Sequence, residues 1–348
     1  MPKKSKVKII FHMGLNKSGS SYLQQLFSHN FNDIGSKLLY PKPHRPSGNA
    51  GAVAEAIRDM DKDAAMAELG NLIGQSGPTV ETVILSTEFM YHQFVKTEQR
   101  KLFHSVLSEY GVEDITLVLV FRNIYEHAVS AFCHRCGTKA MPPFESWIAD
   151  NGSKETNSRD RETSYEFWRE TRALLSIAKT EYFKIRFFPY SRKMEEDWSD
   201  FLGVKLEAPP HKNVNVTVSP SEAEALRHLY NIHGRPIDGL RARLKAIKRS
   251  EKADDSELLN HYHSLISAQL AKLEVMIKRA EEVLGFEISS HPATLKDDTG
   301  PVLKFNELQI STLLDHVEEK PRFSKGLVKQ IVPRSLLPLA RKLYRRFL

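Results

Sequence analysis

The sequence predicts an α/β fold, in which a central parallel sheet lies between two layers of helices and a C-terminal helical extension follows. Apolar strand-like segments alternate with amphipathic helical segments from Val7 to Tyr230, as they do in βαβ units. One of these segments, DITLVLVF at 114–121, is apolar almost throughout, which is typical of a strand covered on both faces. Polar residues directly follow three of the strands, at the sheet edge where open α/β sheets bind ligands.

The individual elements follow from hydrophobic periodicity and from turn residues. We expect four strands, at 7–11, 80–86, 114–121 and 182–188. Helices are expected after the first strand and at 49–73, 97–110, 125–134, 164–179, 194–202, 220–230 and 256–284. The stretch 38–47 is rich in turn residues and predicts a connection, and the polar stretch 138–163 predicts an insertion that faces the substrate.

We divide the chain into an α/β domain at 1–233, a helical extension at 234–318 and a basic amphipathic tail at 319–348. Apolar residues recur at steps of three and four along 256–284, which predicts a long helix that either packs on the core or forms a homodimer. The tail is either a solvated basic end or a contact to a membrane surface or an acidic partner.

The net charge of +7 comes mainly from the end of the chain. The stretch 320–348 holds nine Lys or Arg and no Asp or Glu, so the rest has 41 basic and 43 acidic residues. We therefore expect no nucleic-acid partner for the main domain. No apolar run approaches the roughly 20 residues of a membrane helix, and the N-terminus lacks the apolar core of a signal peptide. We expect a cytoplasmic protein, with membrane association through the tail left open.

The two cysteines, Cys133 and Cys136, lie in a segment expected to be helical. A metal or redox role would need a second cysteine pair or a preceding strand and turn, and the sequence has neither. We expect two incidental helix residues and no metal site.

The stretch from Val7 to Phe27 predicts an anion-binding loop between a buried strand and a helix. Backbone N–H groups at a helix N-terminus bind anions, and Lys17 adds a cation there. Gly14 and Gly19 have the glycine separation of a Walker A loop, GxxxxGK[ST], but the lysine of that motif follows the second glycine, whereas Lys17 precedes Gly19. The loop is thus of the P-loop type without the NTPase lysine.

The string HMGLNKSGSSYLQ at 12–24 resembles HxGxxKTGTTxLQ, the 5′-phosphosulfate loop of the sulfotransferases that use 3′-phosphoadenosine 5′-phosphosulfate (PAPS). Serines stand at the positions of the three threonines, so hydroxyl and glycine positions are kept. The resemblance implies that the loop binds the 5′ end of PAPS through Gly14, Asn16, Lys17, Ser18, Gly19, Ser20 and Ser21.

The string FRNIYEHAVSAF at 121–132 is similar to a second family segment, RDPxxRxxSxY, whose Arg and Ser hold the 3′-phosphate. By this resemblance Arg122 and Ser130 have that role, and an Arg fork next to a Ser hydroxyl suits a phosphate. Asn123, Ile124 and His127 stand where the family often has Asp, Pro and Arg.

Two further segments extend the resemblance over about 7–230. FFPYSRKMEEDWSDFLGV at 187–204 looks like the family's RYEDL-type segment, which makes Tyr190 a candidate cofactor-binding residue. NVNVTVSPSEAEALRHL at 213–229 resembles the Asn-x-Ser segment of bacterial carbohydrate sulfotransferase-like proteins, with Thr217 in place of the Ser.

The resemblance implies transfer of a sulfuryl group from PAPS to a hydroxyl or amine of a carbohydrate or glycolipid, with no metal ion required. Lys17 and the loop N–H groups would stabilise the leaving phosphate. An acceptor hydroxyl also needs a base, for which Glu88 is the first candidate; the alternative for Glu88 is a helix N-terminal residue or an ion-pair partner. For His12, a loop residue typical of the family or a hydrogen-bonded histidine is the alternative to a base. His92 and His127 are more distant candidates.

Two other classes of function stay open. A P-loop small-molecule kinase would use ATP and Mg²⁺ and would need a lysine after Gly19, where this sequence has Ser20. A non-catalytic nucleotide or nucleic-acid binding protein would bind through the basic tail in a salt-sensitive way and would transfer no group.

Overall fold

The expected parallel sheet is present in the computed structural model, with five strands in the order β2-β3-β1-β4-β5, all parallel. The strands are β1 (Lys8–Gly14), β2 (Leu38–Leu39), β3 (Thr82–Thr87), β4 (Ile115–Phe121) and β5 (Lys184–Pro189). The structure describes residues 7–14, 17–31, 37–42, 48–88, 90–149, 174–191, 193–210, 218–247, 252–291 and 303–318.

Thirteen α-helices have both ends within the described residues. They are α1 (Ser20–Asn30), α2 (Gly51–Arg58), α3 (Lys62–Ile73), α4 (Met90–Gln93), α5 (Thr97–Glu109), α6 (Ile124–Arg135), α7 (Phe144–Ile148), α8 (Met194–Leu202), α9 (Pro220–His233), α10 (Asp238–Ala246), α11 (Ser256–Leu270), α12 (Glu274–Leu284) and α13 (Glu307–Glu318).

The chain folds into two units that are interleaved in sequence. The first comprises Met1–Asn123, Trp168–Asn215 and Glu274–Ser289, and it contains the whole sheet. The second comprises Ile124–Phe167, Val216–Leu273 and Ser290–Leu348 and is helical where the structure describes it. This division differs from the boundary expected between residues 233 and 234.

Both faces of β1 are covered by helices. Successive residues of a strand point to opposite sides of the sheet, so neighbouring residues show what covers each face. Phe11 is fully buried and meets Phe103 of α5 edge-on, with ring centroids 5.2 Å apart. The next residue, His12, faces the other side, where Phe27 of α1 and Trp198 of α8 pack around its ring. Helices therefore lie on both faces of the sheet, which confirms the expected three-layer α/β arrangement.

Burial of β4 agrees with its sequence. Six of the seven residues of Ile115–Phe121 are buried, as expected for an apolar strand with a neighbour on each side. Val118 and Val120 join residues of α1 and α8 in one hydrophobic cluster. The strand thereby fixes the position of its C-terminal end, where Arg122 follows.

Three expected elements differ in the structure. A two-residue strand, Leu38–Leu39, lies in the stretch expected to be a connection only, and α7 lies in the stretch expected to be a polar insertion, with Phe144 and Trp147 buried. The single long helix expected at 256–284 is wrong, because the 3₁₀ turn Ala271–Leu273 separates α11 from α12. The helix expected at 164–179 lies mostly outside the described residues, and 174–177 are helical.

Cys133 and Cys136 are buried free thiols in the second unit. Arg241 donates to the backbone carbonyl of Cys136 at 2.7 Å. Burial raises the pKa of both thiols, so they stay protonated at neutral pH. Within the described part of the chain, no helix combines the length and apolar character needed to cross a membrane.

Candidate functional site

The C-terminal ends of four neighbouring strands lie side by side in the first unit, in the order β3, β1, β4, β5. Glu88 follows β3, the loop with Lys17 follows β1, Arg122 follows β4 and Tyr190 follows β5. The strands are in close register, since Met13 pairs with Thr87 and Gly14 with Val120. Residues far apart in sequence are thus gathered along one edge of the sheet.

The two loop glycines are required by close contacts. A Cβ on Gly14 would lie 1.9 Å from the Ser20 hydroxyl oxygen. Gly19 has φ +81°, and a Cβ there would lie 2.7 Å from the Tyr190 ring. Gly19 is also the N-cap of the 11-residue helix α1, so its position brings no side chain over the first N–H groups of that helix.

Lys17 and Ser18 shape the loop ahead of α1. Lys17 has φ +67°, a conformation that costs a non-glycine residue about 1–2 kcal/mol. Its carbonyl oxygen accepts from Nη1 of Arg122 at 3.4 Å. The Ser18 side chain is fully buried, and its hydroxyl has no hydrogen-bond partner among the residues that the structure describes. A buried hydroxyl at a helix N-terminus suits an anionic ligand.

Tyr190 links β5 to the loop and to Arg122. Its backbone N–H donates to the carbonyl of Phe121 at 2.6 Å, which extends the β4–β5 pairing by one bond. The guanidinium carbon of Arg122 lies 4.9 Å from the centroid of the Tyr190 ring. The Tyr190 ring therefore contacts Gly19 and also packs against the guanidinium of Arg122. The residue is 36% exposed.

Glu88 points into the loop from the end of β3. Its carboxylate accepts a hydrogen bond from the Ser20 hydroxyl and interacts with the Lys17 ammonium group. Burial raises the pKa of Glu88, and Lys17 and then Ser20 act against this shift because they favour the charged form. The carboxylate is partly withdrawn from water and stands beside the loop cation.

His12 lies in the core below the loop. It is fully buried, and its Nδ1 is 2.9 Å from the Ser86 hydroxyl. Burial lowers its pKa to about 3, so the ring is neutral at physiological pH. Its Nε2 is buried without a hydrogen-bond partner in the described part of the chain. This placement favours a structural role over that of a base that takes a proton from an acceptor.

A polar network that was not expected from the sequence surrounds His12. The Tyr40 hydroxyl bonds to the Ser86 hydroxyl and to the backbone of Asn49, and burial raises its pKa. The Asn49 side chain accepts from Ser86 N–H at 2.7 Å and donates to the Ile84 carbonyl at 2.9 Å. The signal was Ser86, a polar residue within the buried VILST strand, because such a residue needs a partner.

The remaining expected site residues stay predictions. Ser130 and His127 are half-buried on α6 and belong to the second unit, so the pairing of Ser130 with Arg122 stays a prediction. Asn16, the side chain of His92, Thr217 and the basic tail lie outside the described residues.

Within the described residues, no group of three or more His, Cys, Asp or Glu is arranged to hold a metal ion. Neither a scan against protein-family models nor a search of curated proteins gave a match to this chain.

Proposed function

We propose that the protein is a sulfotransferase that moves a sulfuryl group from PAPS to a hydroxyl or amine of a carbohydrate or glycolipid. The observation that supports this most is the contact between Arg122 and the carbonyl of Lys17 at 3.4 Å. It places a planar cation beside the loop, where a second phosphate of the same nucleotide would need one. ATP has no phosphate on its 3′ position, whereas PAPS has.

In this proposal, each loop residue has a task in in-line transfer. The N–H groups of α1, the Ser18 hydroxyl and Lys17 hold the 5′-phosphate and take up its charge as it leaves. Gly14 leaves room for the Ser20 side chain, and Gly19 leaves room for the Tyr190 ring beside the start of α1. Catalysis would then come mainly from positioning and charge stabilisation, as in phosphoryl transfer.

The acceptor would approach from the side of Glu88. Its raised pKa brings the carboxylate closer to the range in which a base accepts a proton efficiently at neutral pH. A carbohydrate or glycolipid hydroxyl fits such a base, and the basic tail at 319–348 would hold a glycolipid acceptor near an anionic membrane surface. Homodimer formation through 256–284 is a separate proposal.

The test of the donor is thermal stabilisation by adenosine 3′,5′-bisphosphate (PAP), compared with ATP and Mg²⁺. We expect PAP to stabilise the wild type, Arg122→Ala to lose most of that stabilisation, and Arg58→Ala to keep it, because Arg58 is an exposed arginine paired with Asp59. Stabilisation by ATP with Mg²⁺ and not by PAP would favour the small-molecule kinase instead. Equal stabilisation of wild type and Arg122→Ala would remove Arg122 from the site.

The test of the base is transfer from radiolabelled PAPS to a panel of glycan and glycolipid acceptors. We expect Glu88→Gln to lose about 10²–10⁴-fold in turnover while it still binds PAP. Unchanged turnover would show that another group accepts the proton.

A further inference from the structure

The carboxylate of Glu88 lies against the same groups that a terminal anionic group would use. It bonds to the Ser20 hydroxyl and faces Lys17. A Cβ on Gly14 would come within 3.4 Å of Glu88 Cγ, so the side chain folds over the start of the loop. A carboxylate, whose charged form Lys17 and Ser20 favour, is therefore built into an anion-binding loop.

Such a charge acts on ligands according to their own charge. Glu88 is partly withdrawn from water, where charges interact more strongly than in bulk solvent. A sulfuryl group at the end of a phosphosulfate carries one negative charge at every physiological pH. A terminal phosphate has a second pKa of about 6 and carries close to two negative charges at pH 7. The two groups have nearly the same shape, so shape alone separates them poorly.

We propose that Glu88 determines donor specificity by charge: it disfavours a terminal phosphate with two negative charges and accepts a terminal sulfuryl group with one. This inference depends on the proposed function, since it concerns the same donor site. Lys17 attracts the doubly charged ligand more strongly than the singly charged one, and the repulsion from Glu88 opposes this gain. Specificity that comes from a repulsive element in the site is a general route to discrimination between similar ligands.

The experiment measures the affinities of PAPS, of 3′-phosphoadenosine 5′-diphosphate and of PAP by calorimetry. We expect the wild type to bind PAPS at least about tenfold more tightly than the diphosphate at pH 7.5. In Glu88→Gln the affinities for PAPS and for the diphosphate should lie within about threefold of each other, mainly because the diphosphate binds more tightly. The wild-type preference should also shrink below about pH 6, where the terminal phosphate takes up its second proton.

Two variants serve as controls. Glu98→Gln removes an exposed carboxylate of α5 that pairs with Lys101, and it should keep the wild-type preference. Glu88→Asp keeps the charge on a shorter side chain and should keep most of the preference even if Glu88→Gln folds poorly. Loss of the preference in Glu98→Gln as well would assign the effect to overall charge and overturn the inference.

The role of Glu88 in specificity and the proposed function can be overturned separately. The role of Glu88 is overturned if the wild type does not prefer PAPS over the diphosphate, or if Glu88→Gln keeps the wild-type preference. In either case, binding of PAP would still support the proposed donor. Failure of all variants and the wild type to bind PAP overturns the proposed function, and the inference with it.

Discussion

Arg122 and Tyr190 form a cation–π pair at the ends of adjacent strands, with the guanidinium carbon 4.9 Å from the ring centroid. The pair sets where the guanidinium stands relative to the loop, because the same ring also contacts Gly19. Tyr190 was expected to bind the nucleotide directly. The contacts add a second task, which is to position Arg122.

Tyr190→Leu should weaken PAP binding by about two- to fivefold, which corresponds to the usual 0.5–1 kcal/mol of an exposed cation–π contact. Tyr190→Phe keeps the ring and should stay within about twofold of wild type. Adenosine 5′-monophosphate lacks the 3′-phosphate, so its affinity should change little in either variant. Calorimetry with both nucleotides checks this. Equal losses for the two nucleotides would mean that Tyr190 acts on the shared part of the ligand.

Gly19→Ala should destabilise the protein more than Gly203→Ala does. Both glycines have a positive φ, +81° and +67°, so alanine is strained at either one by about 1 kcal/mol. A Cβ at Gly203 would meet no atom of the described residues within 4 Å, whereas at Gly19 it would press into the Tyr190 ring. Denaturant unfolding of both variants measures the difference. Similar losses of free energy would show that the Tyr190 ring moves aside without cost.

His12 should make stability depend on pH between about 6.5 and 3. The histidine has a pKa near 6.5 when unfolded and about 3 when folded, so the unfolded chain binds more protons in this range. Its contribution is fully present above pH 6.5 and is lost as pH falls, by at most about 1.4 kcal/mol per pH unit.

The matching variant is His12→Gln, which keeps a hydrogen-bonding group and does not titrate. Its free energy of unfolding, measured in urea from pH 7 to pH 4, should fall less steeply than that of the wild type. Parallel curves would indicate that His12 is charged in the folded protein.

Ser20→Ala should raise the pKa of Glu88 further above its ordinary value, because the Ser20 hydroxyl stabilises the carboxylate. Lys17→Met should raise the Glu88 pKa more than Ser20→Ala does, since Lys17 lowers this pKa more than Ser20 does. Carbon NMR of glutamate-labelled protein measures both shifts. Ser108→Ala is the control, because the exposed Ser108 of α5 donates only to the backbone carbonyl of His104 in its own helix. A fall of the Glu88 pKa in Ser20→Ala would contradict the hydrogen bond.

Much of the first unit was predictable because its strands have strong patterns. The apolar runs before Gly14, Thr87 and Arg122 each form a strand of the sheet, and the residues that follow meet at one edge. Leu38–Leu39 was missed because two residues are too few to show a period. The break at Ala271–Leu273 has no glycine or proline to mark it, so packing rather than local preference sets it.

The site itself was predictable in its parts but not in its contacts. Sequence placed Lys17, Glu88 and Arg122 at strand ends, and the parallel sheet brings them to the same edge. It left open whether His12 is a base or a hydrogen-bonded histidine, and it gave no sign that Glu88 bonds to Ser20. The Glu88 contact depends on side-chain direction beyond the end of β3, which the period of the pattern determines only for the strand itself.

The position of β1 between β3 and β4 has a consequence for folding kinetics. β1 pairs with strands that come much later in the chain, so its neighbours are in place only after two long segments have closed. The loop and its partners Glu88 and Arg122 assemble in the same events. Recovery of anion binding during refolding should therefore report formation of the central sheet, and it should lag behind the appearance of helical signal from locally folded segments.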